Sequence, residues 1–303
     1  MPTDEYSMTG SRMTDAATAD TDRSAANPLR FGIMYNGGPL SAWQARCIRE
    51  LVNSGVAVPA LAIANGTSLK RKPVRRIGDL KWKNLLFEIY LRLFGSCSAT
   101  LPTDERPIFA NLPIMRCAVE RRGKFSEVFS DSDLEEIASH NLDFILRFGF
   151  GIIRGKIHDV PKYGVWSFHH DDERAVRGAP SALWPIYNGS PQSGVILQRL
   201  NDKLDGGVIL RRMLLPTIDT SYIANREQAF LAGIPLPTQV CRDIIAGNTH
   251  DVCAAPSHTD APIYYRPTNT QMVRFIGILW RNRLRRLMQG PLPPAPENAE
   301  KRY

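Results

Sequence analysis

The run LRFGIMYNGGPLSAWQARCIRELVNSGVAVPALAIANG, residues 29–66, decides the fold class. It begins mostly apolar, up to Tyr35, and then turns small and polar at Asn36-Gly37-Gly38. That change predicts a buried strand entering a tight loop. In the next segment Trp43, Cys47, Ile48, Leu51 and Val52 fall on one helical face, with Ser41 before them and Gly55 after. A helix over 41–55, N-capped by Ser41 and ended by Gly55, is expected. VAVPALAIANG (56–66) is a second apolar run. Strand, helix and strand in close succession point to a parallel sheet.

Outward from that unit the alternation breaks and then resumes. SLKRKPVRRIGDLKWK (68–83) is strongly basic, and NLLFEIYLRLFG (84–95) is apolar and reads as helix. PIMRCAVERRG (113–123) resembles a strand. SDLEEIASHN (132–141) is a helix with an acidic first turn, capped by Ser130 or Ser132. LDFILRFGFGII (142–153) is the next strand, entering a glycine-rich bend, and KYGVWSFHH (162–170) is another, aimed at the same end of the sheet. SALWPIYNGS (181–190) reads as a helix ending at Asn188-Gly189, and GVILQRL (194–200) and GVILRRMLLP (207–216) as two strands. Residues 225–248 are helical with a break at Pro235, and 271–290 form a basic amphipathic helix. The expected organisation is a disordered tail (1–28), an α/β domain (29–222) with a basic insert (67–112), a helical C-terminal extension (223–290) and a flexible tail (291–303).

A chain of 303 residues, 43% of them hydrophobic, suits one large or two modest domains. The net charge of +8 favours phosphates, nucleic acid or a lipid surface as partners without choosing among them. Five cysteines, an odd number with no CxxC pair, imply reduced thiols and a cytoplasmic location. No cysteine–histidine cluster has zinc spacing, so no metal is expected. No run of eighteen apolar residues suggests a transmembrane helix, and 1–28 lacks the apolar core of a signal peptide.

His169 and His170 end a strand side by side. Adjacent strand residues face opposite ways, so one of them faces a pocket and the pair does not share a metal ion. Asp205 begins an Asp-Gly-Gly turn signal and can serve as a turn residue, as a carboxylate partner, or as both. In the terminal helix Met272, Phe275, Ile276, Leu279, Trp280, Leu284 and Leu287 lie along one face, with Arg274, Arg281, Arg283, Arg285 and Arg286 on or near the other. Docking of the apolar face on the core is the preferred reading; binding to a membrane surface is the second.

Four elements occur in order: Ser167-Phe168-His169, Arg177-Gly178, Asn188-Gly189 and Leu204-Asp205-Gly206-Gly207. His169 precedes Gly178 by nine positions and Asp205 by thirty-six. In this the chain resembles the folate-dependent formyltransferases, whose motif is Asn-x-His, an Arg-Gly loop, a helix ending in Asn-Gly, and Leu-Asp-x-Gly. LRFGFGII (146–153) matches the strand and loop that flank the family's folate pocket. The resemblance covers 142–212 well and 29–66 loosely, but not 67–112 or much beyond 250.

The resemblance implies a Rossmann-like, mostly parallel sheet and an N-formyltransferase that uses 10-formyltetrahydrofolate. An amine attacks the formyl carbon, so a proton must move and an oxyanion must be held. An imidazole titrates near neutral pH, and a carboxylate can orient it. His169 is thus expected at the reacting centre with Asp205 as its partner or proton relay. Ser167 stands where the family has an oxyanion-binding Asn. Cofactor contacts are expected at Phe148, Gly149, Phe150, Gly151, Leu204 and Gly206. Substrate contacts are expected at Asn36, Gly37, His170, Arg177 and Gly178. The expected acceptor is the amine of a phosphate-linked amino sugar, as a small molecule or on a lipid; transfer RNA is less favoured. A methionyl-tRNA formyltransferase-like enzyme, a formyltetrahydrofolate hydrolase, or an inactive folate- or membrane-surface-binding homologue are the alternatives.

Overall fold

The computed structural model describes residues 27–66, 82–104, 106–123, 126–203 and 206–289. Seven strands form the central sheet: β1 (Leu29–Tyr35), β2 (Ala57–Asn65), β3 (Ile114–Cys117), β4 (Phe144–Arg147), β5 (Val165–His169), β6 (Gln192–Arg199) and β7 (Val208–Pro216). Their order is β7-β6-β5-β4-β1-β2-β3. β1 to β5 are parallel, whereas β6 runs antiparallel to both β5 and β7. This is the Rossmann-like, mostly parallel architecture expected. It places the carboxyl ends of five strands at one edge, where open α/β sheets bind ligands.

The two faces of the sheet are filled by alternate residues. On one face Phe31, Ile33, Phe144, Leu146, Trp166 and Leu197 pack with α1 (Ala42–Asn53) and with a helix over Leu236–Ile245. On the other, Met34, Ile63, Ile145 and Val165 pack with Leu134 and Ile137 of the helix Asp131–Ser139. Burying each such side chain is worth about 2 kcal/mol, so the two layers hold the sheet rigid. Local signals set the helix starts. Gln44 Oε1 accepts from Ser41 N at 2.9 Å. Ser130, rather than Ser132, caps its helix by accepting from Asp133 N at 3.1 Å.

Two expectations change. The strand expected over 142–153 is two strands, β4 and Ile152–Arg154; the second joins Glu120–Arg122 and Ser126–Val128 in a separate ribbon. The chain bends where a Cβ on Gly149 would come within 2.5 Å of Asn36 N, and Phe150 takes φ 66°. The terminal helix, Asn269–Gln289, divides its apolar row. Met272, Phe275 and Leu279 are buried against Phe87, Trp184 and Tyr222, but Ile276, Trp280, Leu284 and Leu287 are exposed. The basic run 68–81, residues 1–26 and the tail 291–303 lie outside the described residues. No helix of the described residues is long and apolar enough to cross a membrane.

Candidate active site

Met34, Arg147, Ser167 and Gln198 stand in register across β1, β4, β5 and β6. Partnered residues of neighbouring strands share a face, so Arg147 and Ser167 lie side by side. Ser167 is buried and Arg147 half-buried. Arg147 Nη1 donates to Ser167 Oγ at 2.9 Å, and Nη2 donates to Phe150 O at 3.3 Å and to Gly151 O. Burial lowers the Arg147 pKa; the nearby Glu127 carboxylate opposes that shift. Glu127 is itself buried and accepts from Gly151 N at 2.5 Å.

Two residues beyond Ser167, on the same face, His169 ends β5. Its Nε2 lies 3.2 Å from Val176 O. With Nε2 protonated as the donor, Nδ1 keeps a free lone pair. The following loop is held from beneath. Both oxygens of buried Asp171 accept from Ala182 N, at 3.1 and 3.0 Å, and burial holds the Asp171 pKa well above the carboxylate range. Asn225 Nδ2 donates to Ala182 O at 2.9 Å. Both backbone polar groups of Ala182 are therefore paired, and the turn that carries Val176 back to His169 is anchored.

Several sequence-predicted residues stand elsewhere. His170 points to the opposite face, with ring centroids 5.0 Å from Trp43 and 4.3 Å from Phe230. Its Nε2 is sealed from solvent without a partner. Burial, and secondarily the charge of His169, lower its pKa to about 3. Phe148 joins the same aromatic group, 5.4 Å from Trp43. In the bend 149–151 the main-chain groups of Phe150 and Gly151 are paired within the fold. Phe150 N donates to Asn36 Oδ1 at 2.8 Å, Gly151 N to Glu127, and both carbonyls accept from Arg147. Asn36 thus ties β1 to the bend, and Gly37 takes φ 79° at the turn beside it.

Arg177 and Gly178 pair with Ile263 and Tyr264. Arg177 Nε donates to Ala261 O at 2.7 Å, and a Cβ on Gly178 would collide with Tyr264 O. Through these contacts both residues join two chain segments. Leu204 and Asp205 lie outside the described residues. Beside them, Gly206 O accepts from Asn201 Nδ2 at 2.5 Å. The hairpin loop leaves the sheet at Leu200, whose N–H donates to Val165 O at 2.8 Å. Val165 is the first residue of β5 and His169 the last, a span of about 13 Å at strand rise.

A cleft of about 380 Å³ opens beside that hairpin, lined by Gly155, His158, Gly164, Arg199, Asn201 and Asp202 among others. Sequence reasoning missed two groups, His158 in this cleft and Arg147 at the end of β4. His158 is buried, with Nε2 3.2 Å from Ile153 O and 3.6 Å from Asp202 Oδ1; burial lowers its pKa. Nothing in its spacing marked it. Arg147 did carry a signal, a lone charge in an otherwise apolar strand, whose burial requires polar partners.

No family model matches the chain. Methionyl-tRNA formyltransferase of Parabacteroides distasonis is 26% identical over 129 residues, 42% of this chain and 40% of that protein. Its counterpart from Fusobacterium nucleatum subsp. nucleatum is 34% identical over 86 residues, 28% of each chain. The chain thus spans less than half the length of the curated relatives it matches. Among solved structures, glycinamide ribonucleotide transformylase 1 from Symbiobacterium toebii shares the fold, with a TM-score of 0.50 at 14% identity, over 73% of this chain and 89% of that one. The chain is a relative of the folate-dependent formyltransferases, matched in sequence over 42% of its length and in fold over 73%.

Proposed function

We propose that the chain is a cytoplasmic N-formyltransferase that moves a formyl group from 10-formyltetrahydrofolate to a primary amine, that of a phosphate-linked amino sugar. The observation that carries this reading is the pairing of Ser167 and His169 on one face at the end of β5, with Arg147 bonded to Ser167. His169 would take the proton from the attacking amine. Ser167, whose oxygen already accepts from Arg147, would turn its own hydrogen toward the developing oxyanion. Asp205 would orient His169 or relay its proton. The donor would lie at the carboxyl ends of β4 and β5, where Ser167 and His169 stand. The five cysteines are unpaired, in keeping with a reducing compartment.

The names of the sequence relatives favour a second reading, with methionyl-tRNA as the acceptor. One assay separates the readings. The protein is incubated with 10-formyltetrahydrofolate and either nucleotide-linked amino sugars or aminoacylated tRNA, and tetrahydrofolate release is followed. His169→Ala and Asp205→Ala should each lower the rate by about a hundredfold or more. Formate release without any amine would identify a hydrolase. Unchanged rates in both variants would remove the site assignment.

A further inference from the structure

The terminal helix, α2 (Asn269–Gln289), carries five arginines and no acidic residue. It starts beside the helix Leu85–Phe94. Asn269 Oδ1 accepts from Leu86 N at 3.0 Å, and Asn269 Nδ2 donates to Trp82 O at 2.7 Å. The two helices then run together with Phe87, Met272, Phe275 and Leu279 between them. Beyond Leu279 the terminal helix continues for ten more residues, about 15 Å.

The outward side of this pair is apolar. Ten of the seventeen large hydrophobic residues exposed among the described residues lie on 82–94 and 273–288. They include Trp82, Phe94, Trp280, Leu284, Leu287 and Met288, at 55–81% exposure. A groove of about 480 Å³ lined by Tyr90, Phe94, Ile276 and Trp280 shows that both helices contribute to one surface. Such a concentration marks an interaction site, whereas scattered exposed residues do not.

Charge decides what covers it. Arg283 borders the groove on one side of the terminal helix. Arg274, Arg281, Arg285 and Arg286 line a cleft of about 720 Å³ on the other. Asp219 pairs with Arg285 and Arg286, both at 3.1 Å, and leaves the row with an excess of positive charge. A second copy would bring to this face five more arginines and no carboxylate from its own terminal helix. A plane of anionic headgroups would instead meet apolar side chains at its acyl boundary and arginines at its phosphates, with the tryptophans at the level both favour.

We propose that this face lays the protein on an anionic lipid surface. The contact requires no folate chemistry and stands or falls apart from it. The full-length protein is floated on a density gradient with vesicles of phosphatidylcholine and phosphatidylglycerol in equal parts, and with phosphatidylcholine alone. Flotation should occur with the anionic vesicles and fall by about tenfold or more without the anionic lipid. Trp280→Ser combined with Leu287→Ser, both at exposed positions, should abolish flotation while the melting temperature is unchanged. Arg281→Glu should weaken it. Undiminished flotation of the double variant, no flotation of the wild type, or a wild-type dimer that the double variant makes monomeric would each overturn the proposal.

Discussion

Arg147 Nη1 donates to Ser167 Oγ at 2.9 Å between two neighbouring parallel strands, the serine buried and the arginine half-buried. The bond uses a lone pair of the serine and leaves its hydrogen free to donate elsewhere. The guanidinium also closes the bend through Phe150 O and Gly151 O. Arg147→Met would therefore leave a hydroxyl, two carbonyls and the Glu127 charge without their cation. A loss of about 2–3 kcal/mol is expected in urea denaturation, since three acceptors lose a charged donor. Ser167→Ala should cost only about 1–2 kcal/mol of stability. On the proposed function it should also lower kcat by about a hundredfold, as loss of one oxyanion donor does. A Ser167→Ala enzyme with full kcat would remove the serine from the chemistry.

Gly178 offers a contrast, because the resemblance suggests substrate contact and the structure supplies another role. Its φ is 94°, and a side chain there would run into Tyr264 O. Gly178→Ala should cost about 1–3 kcal/mol from backbone strain, with more from the collision. Arg177→Ala should cost about 1 kcal/mol through its lost bond to Ala261 O. Both changes should lower the melting temperature while KM for the amine stays within about twofold. A KM raised by an order of magnitude in Arg177→Ala would restore the arginine to the acceptor site.

How much could be read beforehand depended on how local each signal is. The strand–helix–strand unit at 29–65 was legible because its period, its Ser41 start and its glycine turn all act over a few residues. The division of 142–153 was not, because it follows from the approach of Gly149 to Asn36, 113 positions away. Arg147 and Ser167 meet only through strand register, which composition does not encode. In the terminal helix, helical spacing grouped seven apolar residues. It could not say that Phe275 and Leu279 turn inward while Trp280 and Leu284 turn outward, since adjacent helical positions differ by about 100°. His169 and His170 behaved as strand alternation requires, one on each face.

His170 should make the fold acid-sensitive. Its ring lies among Trp43, Phe168 and Phe230, and burial lowers its pKa to about 3. The unfolded chain takes up a proton near pH 6.5, which the folded histidine refuses until about pH 3. Its contribution to stability is thus complete above pH 6.5 and is lost as pH falls through that window. The loss at pH 5 is about 2 kcal/mol. His158, also lowered by burial, acts with the same sign, and Asp171, raised by burial, acts with the opposite sign. Both persist in a His170→Phe variant, so the difference between variant and wild type isolates the one ring. Phenylalanine also fills the aromatic site without an unpartnered nitrogen, and stability at pH 7 should be kept or raised. Chemical denaturation at pH 7 and pH 5 should show the variant losing about 2 kcal/mol less than the wild type between the two. Parallel losses in both proteins would mean that His170 takes up its proton as readily in the fold as in the unfolded chain.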